Sequence, residues 1–121
     1  MVGEEKARED VVDYLTVQIT ELLGGSQVLG SWTESSLAAH EALARGLPSR
    51  SLIALIRNLA VIDFDNASKA IGMSLRTYQR HKDAPAKSLS VAQSGRAWKF
   101  AEILAKATRV FGSQEEAEQW L

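Results

Sequence analysis

The sequence contains no cysteine, which excludes disulfides, thiolate metal ligands and thiol nucleophiles. It also lacks an apolar run long enough for a membrane-spanning helix. Its first ten residues are too acidic and too polar for a signal or transit peptide. We therefore expect a cytoplasmic protein that makes no membrane contact and whose fold is held by packing alone.

Apolar residues make up 45% of the 121-residue chain, which is enough for one modest core. Every clear periodic signal is helical, so we predict an all-α, compact multi-helix domain. The first apolar segment, Val11 to Leu22, is rich in β-branched residues that would also suit a strand. We interpret this segment as a helix that ends at Gly24-Gly25.

Capping patterns mark the starts of later helices. Ser31 with Glu34 and Ser90 with Gln93 each have the spacing of a capping box, in which each residue's side chain accepts from the other's backbone N–H. The second box is predicted to open the longest helix, from about Val91 to Phe111. A short last helix is predicted after it.

A helix-turn-helix motif is the most informative feature of the chain. Gly72 can adopt the left-handed conformation that a tight helix exit needs, and Ser74 can cap the helix that follows. The apolar residues around the turn are spaced to face one shared core. The residues predicted to face this core are Ala67, Ala70, Ile71, Met73, Leu75 and Tyr78.

The outer side of the second helix has the composition of a surface that reads a DNA major groove. Arginine pairs with guanine and glutamine with adenine, so we predict base contacts from Arg76, Gln79 and Arg80. Thr77 and Lys82 are predicted to contact phosphates. The predicted DNA-binding residues are Ser74, Arg76, Thr77, Gln79, Arg80 and Lys82.

The net charge of −1 hides a strong segregation of charge along the chain. Residues 1–49 hold 3 basic and 8 acidic side chains, and residues 111–121 hold 3 acidic ones. Between them, residues 50–110 hold 11 basic and 4 acidic side chains. The basic block is centred on the helix-turn-helix, where it would attract DNA phosphates.

No residue pattern supports an enzyme, a cofactor site or a metal site. His40 and His81 are far apart in the sequence and have no cysteine near them. Asp63 and Asp65 lack the glycine and the distal glutamate of a calcium loop, so we interpret them as candidate helix caps. We predict a binding protein with no catalytic residues and no cofactor.

Several short segments, spread in order over most of the chain, match one known family. They are Gly46-Leu47-Pro48, residues 71–80, Leu89-Ser90, residues 93–101, Val110-Phe111-Gly112-Ser113, Ala117 and Trp120-Leu121. In these segments the chain resembles the Xre/MbcA/ParS-type antitoxins of bacterial toxin-antitoxin operons. It is most similar to the Xre partner of RES-domain toxins.

The resemblance implies a helical homodimer with two activities. It would bind and neutralise a RES-type toxin that depletes NAD, and it would repress its own operon by binding operator DNA. We divide the chain accordingly into an N-terminal helical region (1–47), a helix-turn-helix DNA-binding region (48–88) and the start of a C-terminal toxin-binding and dimerisation region (89–121). In the family the Trp-Leu segment is followed by further residues that complete this last region.

The C-terminal helix is predicted to form the root of the toxin-binding surface. Large apolar residues at its end are expected to be covered by the protein's own core, by a partner or by a further part of a longer chain, and the resemblance places the toxin there. The same apolar surplus is the expected source of a dimer contact. The predicted toxin-binding residues are Phe111, Trp120 and Leu121, flanked by a solvated acidic face of Glu115, Glu116 and Glu118.

A different class of function remains open at this point. A helical adaptor or dimerisation module that binds only protein would also fit a small helical chain of mild net charge. Such an adaptor has no need for the basic, donor-rich outer face from Leu75 to Lys82, which is the feature that favours DNA binding.

Overall fold

Short connections join a series of helices along the chain. The computed structural model describes residues 15–29 and 36–121. The helices are α1 (residues 15–22), α2 (Ser26–Leu29), α3 (Ser36–Arg45), α4 (Ser49–Asn58), α5 (Phe64–Ile71), α6 (Leu75–Asp83), α7 (Val91–Phe111) and α8 (Gln114–Trp120). The described ranges contain no strand, and the predicted all-α fold with a long helix before a short last one is confirmed. None of the described helices has the length and apolar character needed to cross a membrane.

The predicted capping residues begin the helices as expected. The Asp63 carboxylate accepts from the backbone N–H of Asn66 at 2.9 Å, at the start of α5. Ser90 and Gln93 form the reciprocal capping box of α7, with both hydrogen bonds at 3.0 Å. The box predicted at residues 31–34 lies outside the described residues.

Helix α7 is the centre of the fold, because it contacts α3, α4, α5 and α8. Burial of apolar side chains against it supplies the main stabilising free energy, at about 25 cal/mol per Å². One side of α7 near its C-terminal end is nevertheless open to solvent. The fully buried members of the core include Leu23, Leu47, Leu52, Leu55, Ala67, Ala97, Ala101, Leu104 and Ala117.

The segments before α4 and after α6 are joined to each other. The N–H of Ser49 donates to the carbonyl of Lys87, and the N–H of Leu89 donates to the carbonyl of Leu47, both at 2.7 Å. The N–H of Leu47 also donates to the hydroxyl of the buried Ser94 on α7 at 2.8 Å. The two ends of the α4–α6 unit are therefore fastened together and to the central helix.

Glu118 is buried, so the prediction that it belongs to a solvated acidic face is wrong. Its side chain is only 2% exposed. The carboxylate accepts backbone N–H groups from Ala60, Val61 and Ile62 at 2.7, 2.8 and 2.9 Å, and the side-chain amide of Gln114 at 2.8 Å. The other two glutamates of α8 are exposed, as predicted. A side chain that was expected to flank a partner surface instead ties α8 to the loop before α5.

These contacts decide the charge state of Glu118. Burial raises the pKa of the carboxyl, but the hydrogen bonds from Ile62, Val61, Ala60 and Gln114 lower it by more. The pKa in the folded protein therefore lies below its ordinary value of 4.5. Since the folded state holds this proton less tightly than the unfolded chain does, Glu118 stabilises the fold above pH 4.5. That contribution is lost as the pH falls through the folded pKa.

We predict that Glu118→Gln lowers the free energy of unfolding by about 2 kcal/mol at pH 7, because hydrogen bonds to a charged acceptor are strong and a buried N–H left unpaired is costly. Urea denaturation measures the change, and Glu115→Gln, at an exposed position of the same helix, should change little. Below pH 4.5 the two variants should converge in stability. Equal stability of the two variants at pH 7 would contradict this role for Glu118.

Candidate nucleic-acid interface

Helices α5 and α6 form the predicted helix-turn-helix. Gly72 has φ +72° and ends α5 in the left-handed conformation, while its N–H donates to the carbonyl of Lys69 at 3.2 Å. The N–H of Met73 donates to the carbonyl of Ser68 at 2.9 Å. Ser74 then caps α6 by accepting from the N–H of Thr77 at 3.2 Å. The turn chemistry read from Gly72 and Ser74 is confirmed.

Arg96 of α7 holds this turn from outside the motif, which the sequence analysis did not predict. Its Nε donates to the carbonyl of Ile71 at 2.6 Å. A Cβ added to Gly72 would lie 3.1 Å from the same Nε. Gly72 is therefore favoured twice, by its positive φ and by the close approach of the Arg96 guanidinium. No local signal announces this contact, since Arg96 follows Ile71 by 25 positions.

Two side chains fasten α6 to its neighbours. The ring of Tyr78 packs at 4.8 Å from that of Phe64 on α5, in line with its predicted place in the core. Nδ1 of His81 lies 2.7 Å from the hydroxyl of Ser49 on α4. Partial burial lowers the pKa of His81 below its ordinary 6.5, and the charges of Arg80 and Lys87 lower it further. An uncharged His81 is thus favoured at neutral pH.

The predicted base-reading residues lie together on the outer side of α6. Arg76, Gln79 and Arg80 are exposed, as is Lys82, and none of the four side chains pairs with another described residue. Their donors are free to meet an external partner. Arginine and glutamine have the planar, paired donors and acceptors that match guanine and adenine edges.

Ser74 and Thr77, which were predicted to bind DNA, also form the N-terminal cap of α6. The Ser74 hydroxyl donates to the Thr77 hydroxyl at 3.1 Å while it accepts from the Thr77 N–H. The pair orders the first turn of α6, where backbone N–H groups point outward and favour an anion. Asp83 lies seven positions after Arg76, on the same side of α6, and puts a negative charge at the far end of the face. The face is thus more favourable to an anion at its N-terminal turns than at its C-terminal end.

Two residues of the predicted shared core are exposed instead. Leu75 is 55% exposed, and Ala70 is also on the surface. Leu75 is the first residue of α6 and lies on the same side of the helix as Gln79, four positions later. An apolar side chain at that position can contact a thymine methyl group. The other predicted core residues of the motif are buried or half-buried.

A separate apolar patch lies where α7 meets α8. The rings of Phe111 and Trp120 are 5.7 Å apart, and with Ile103 and Val110 they border an open cavity of about 320 Å³. Trp120 is 63% exposed and Val110 is 79% exposed. Leu121 is not part of this patch, because it lines a different cavity beside Val61 and Phe100. The structure therefore brings together two of the three residues predicted to bind a toxin.

Metal chemistry finds no place in the described part of the chain, where no group of three or more histidine, aspartate or glutamate side chains is arranged to hold an ion. His81 faces the Ser49 hydroxyl, and Asp63 serves as a helix cap. The groups through which the described surface can bind a partner are therefore hydrogen-bond donors, positive charges and exposed apolar side chains.

Comparison with protein families gives one match. A family model described as the Antitoxin Xre-like helix-turn-helix domain matches residues 38–102, more than half of the chain. The matched range contains the whole of α4, α5 and α6 and the first half of α7, including Gly72, Ser74 and Arg96. The chain matches no curated protein and no solved structure.

Proposed function

Because the chain belongs to the antitoxin Xre-like helix-turn-helix family, we propose that it neutralises a RES-type toxin and represses its own operon through α6. That it is a helix-turn-helix antitoxin follows from the family. We further propose that its toxin is of the RES type, that it binds its own operator and that it is a dimer.

The observation that carries the DNA function is the unpaired outer face of α6. Three exposed side chains with base-pairing geometry, Arg76, Gln79 and Arg80, stand on a helix whose first turn is capped and whose inner side is fixed by Tyr78 and His81. A recognition helix must be held in this way, because a base contact gains specificity only when its donor is pre-positioned. A helical adaptor that binds only protein would gain nothing from leaving these donors free.

The observation that supports a protein partner is the apolar patch of Ile103, Val110, Phe111 and Trp120. Aromatic side chains at the centre of an interface commonly supply much of the binding free energy. The family resemblance places a toxin at this end of the chain. DNA-reading residues and patch residues belong to different helices, so an antitoxin of this design can hold toxin and operator together.

A dimer completes the proposal for DNA. One short helix reads only a few base pairs, and helix-turn-helix proteins usually place two recognition helices about 34 Å apart on a pseudo-palindromic site. We expect the operator of this protein to show that symmetry.

For operator binding, we predict that Arg76→Ala and Arg80→Ala each cost about 1 to 3 kcal/mol and relax the preference at one base pair. Lys82→Ala should weaken operator and unrelated DNA equally, since a phosphate contact carries no sequence information. Fluorescence anisotropy at one fixed salt concentration measures both effects, with the duplex upstream of the reading frame, its single-base variants and a duplex of unrelated sequence as probes.

Lys99→Ala is the matched control, because Lys99 is an exposed cation on α7 that pairs with Glu102 at 2.9 Å. It should bind the operator like the parent. If the Arg76 and Arg80 variants also bind like the parent, α6 is not the recognition helix.

For the apolar patch, we predict that Trp120→Ala weakens toxin capture by about 2 kcal/mol or more while operator binding is kept. Gln119→Ala, at an exposed position beside it, is the control. Co-purification with the RES-type toxin gives the readout, and sedimentation of each variant gives the oligomeric state. Toxin recovery at the parental yield would overturn the toxin assignment, and a monomeric Trp120→Ala protein would assign the patch to the dimer contact instead.

A further inference from the structure

A basic groove lies beside α6 and was not foreseen from the sequence. It runs between α4, the end of α6 and the α1–α2 turn, and its volume is about 670 Å³. Three cationic side chains line it: Arg50 and Arg57 from α4 and Lys82 from α6. Among the described residues that line it, Glu21 is the only acidic one. Here "the basic groove" means this cavity with its three cations.

The three cations make no hydrogen bond or ion pair within the described part of the protein. Arg50, Arg57 and Lys82 are exposed, and none has a hydrogen bond or an ion pair with a described residue. Three other described cations, Lys69, Lys99 and Lys106, each lie within 4.0 Å of a carboxylate, whereas Arg76 and Arg80 of α6 are unpaired like the groove cations. Like charges that share one groove repel each other, so this arrangement is most favourable when an anion lies among them.

The spacing fits a regular polyanion. Arg50 and Arg57 are seven residues apart on one face of α4, which corresponds to about 10 Å along the helix axis. One strand of B-DNA carries a phosphate about every 3.4 Å of its axis, so this separation spans several phosphates. Lys82 joins the groove to the helix that we propose to read bases.

We infer that the basic groove binds the phosphate backbone of the DNA strand that flanks the α6 contact, with Arg50 and Arg57 of α4 as phosphate ligands beside the α5–α6 motif. This inference rests on the proposed DNA function and extends it to a second helix. The two arginines supply affinity for any DNA sequence, whereas α6 supplies the choice among sequences. An anion that lies along this groove meets Lys82 at one end, so groove and recognition helix act on one continuous duplex.

The test compares the double variant Arg50→Ala/Arg57→Ala with the control Lys99→Ala/Lys106→Ala. The control also removes two positive charges, but from α7. The probes are two labelled duplexes, one from upstream of the reading frame and one of unrelated sequence, titrated over a series of salt concentrations. Each lost phosphate contact should reduce the slope of log K against log salt by about 0.9 on duplex DNA. We expect a reduction of about two for the groove variant on both duplexes, and an unchanged slope for the control.

A parental slope in the groove variant would overturn the inference. A loss confined to the upstream duplex would also overturn it, since phosphate contacts are blind to sequence. Arg76→Ala/Arg80→Ala separates this failure from failure of the proposed function: if that variant loses discrimination while the groove variant keeps the parental slope, only the groove assignment fails. If the parent binds neither duplex, the DNA function and the groove fail together. All three double variants change exposed residues, so their melting temperatures should match that of the parent.

Discussion

The carboxylate of Glu118 joins the C-terminal end of the fold to the helix-turn-helix. It receives three consecutive backbone N–H groups from residues 60–62, the loop that leads directly into α5. A buried charge is costly unless its hydrogen-bonding capacity is met, and four donors meet it here. The opposite side of α8 carries the exposed Trp120. One short helix therefore anchors the start of α5 and presents part of the apolar patch.

What the sequence could predict was local. Caps and turns depend on residues three or four positions apart, so Asp63, Ser74 and the Ser90 box were readable without a structure. Gly72 was readable because a helix exit in the left-handed conformation favours glycine. The start of α7 followed from its capping box, and in the structure the helix ends at Gly112 in the left-handed conformation.

What the sequence could not predict depends on contacts between distant segments. Glu118 has the appearance of a solvated helix residue, and its partners lie 56 to 58 positions away. The role of Arg96 was unpredictable for the same reason, because nothing in the local sequence shows that this surface arginine of a long helix contacts a distant turn. The prediction that Leu75 is buried was wrong because helical spacing shows which residues share a face of α6. It does not show whether the first turn of the helix is covered by the core. The basic groove is assembled from α4 and α6, so neither helix shows it alone.

The exposed surfaces divide the proposed functions among different helices. The proposed base-reading donors lie on α6, the groove cations on α4 and at the end of α6, and the apolar patch on α7 and α8. Helices α4, α7 and α8 contribute buried residues to one core, and α6 packs against that core through the half-buried Tyr78. A protein of this size can thus offer a charged surface to DNA and an apolar one to a protein.

The central claim is that the N-terminal turns of α6 enter the DNA. The most direct measurement is amide chemical-shift mapping of the full chain by NMR, with and without the duplex upstream of its reading frame. The account predicts that the largest changes fall on Ser74 to Arg80, with smaller ones in α4 around Arg50 and Arg57. Large changes confined to the α7–α8 patch, with α6 unaffected, would contradict it.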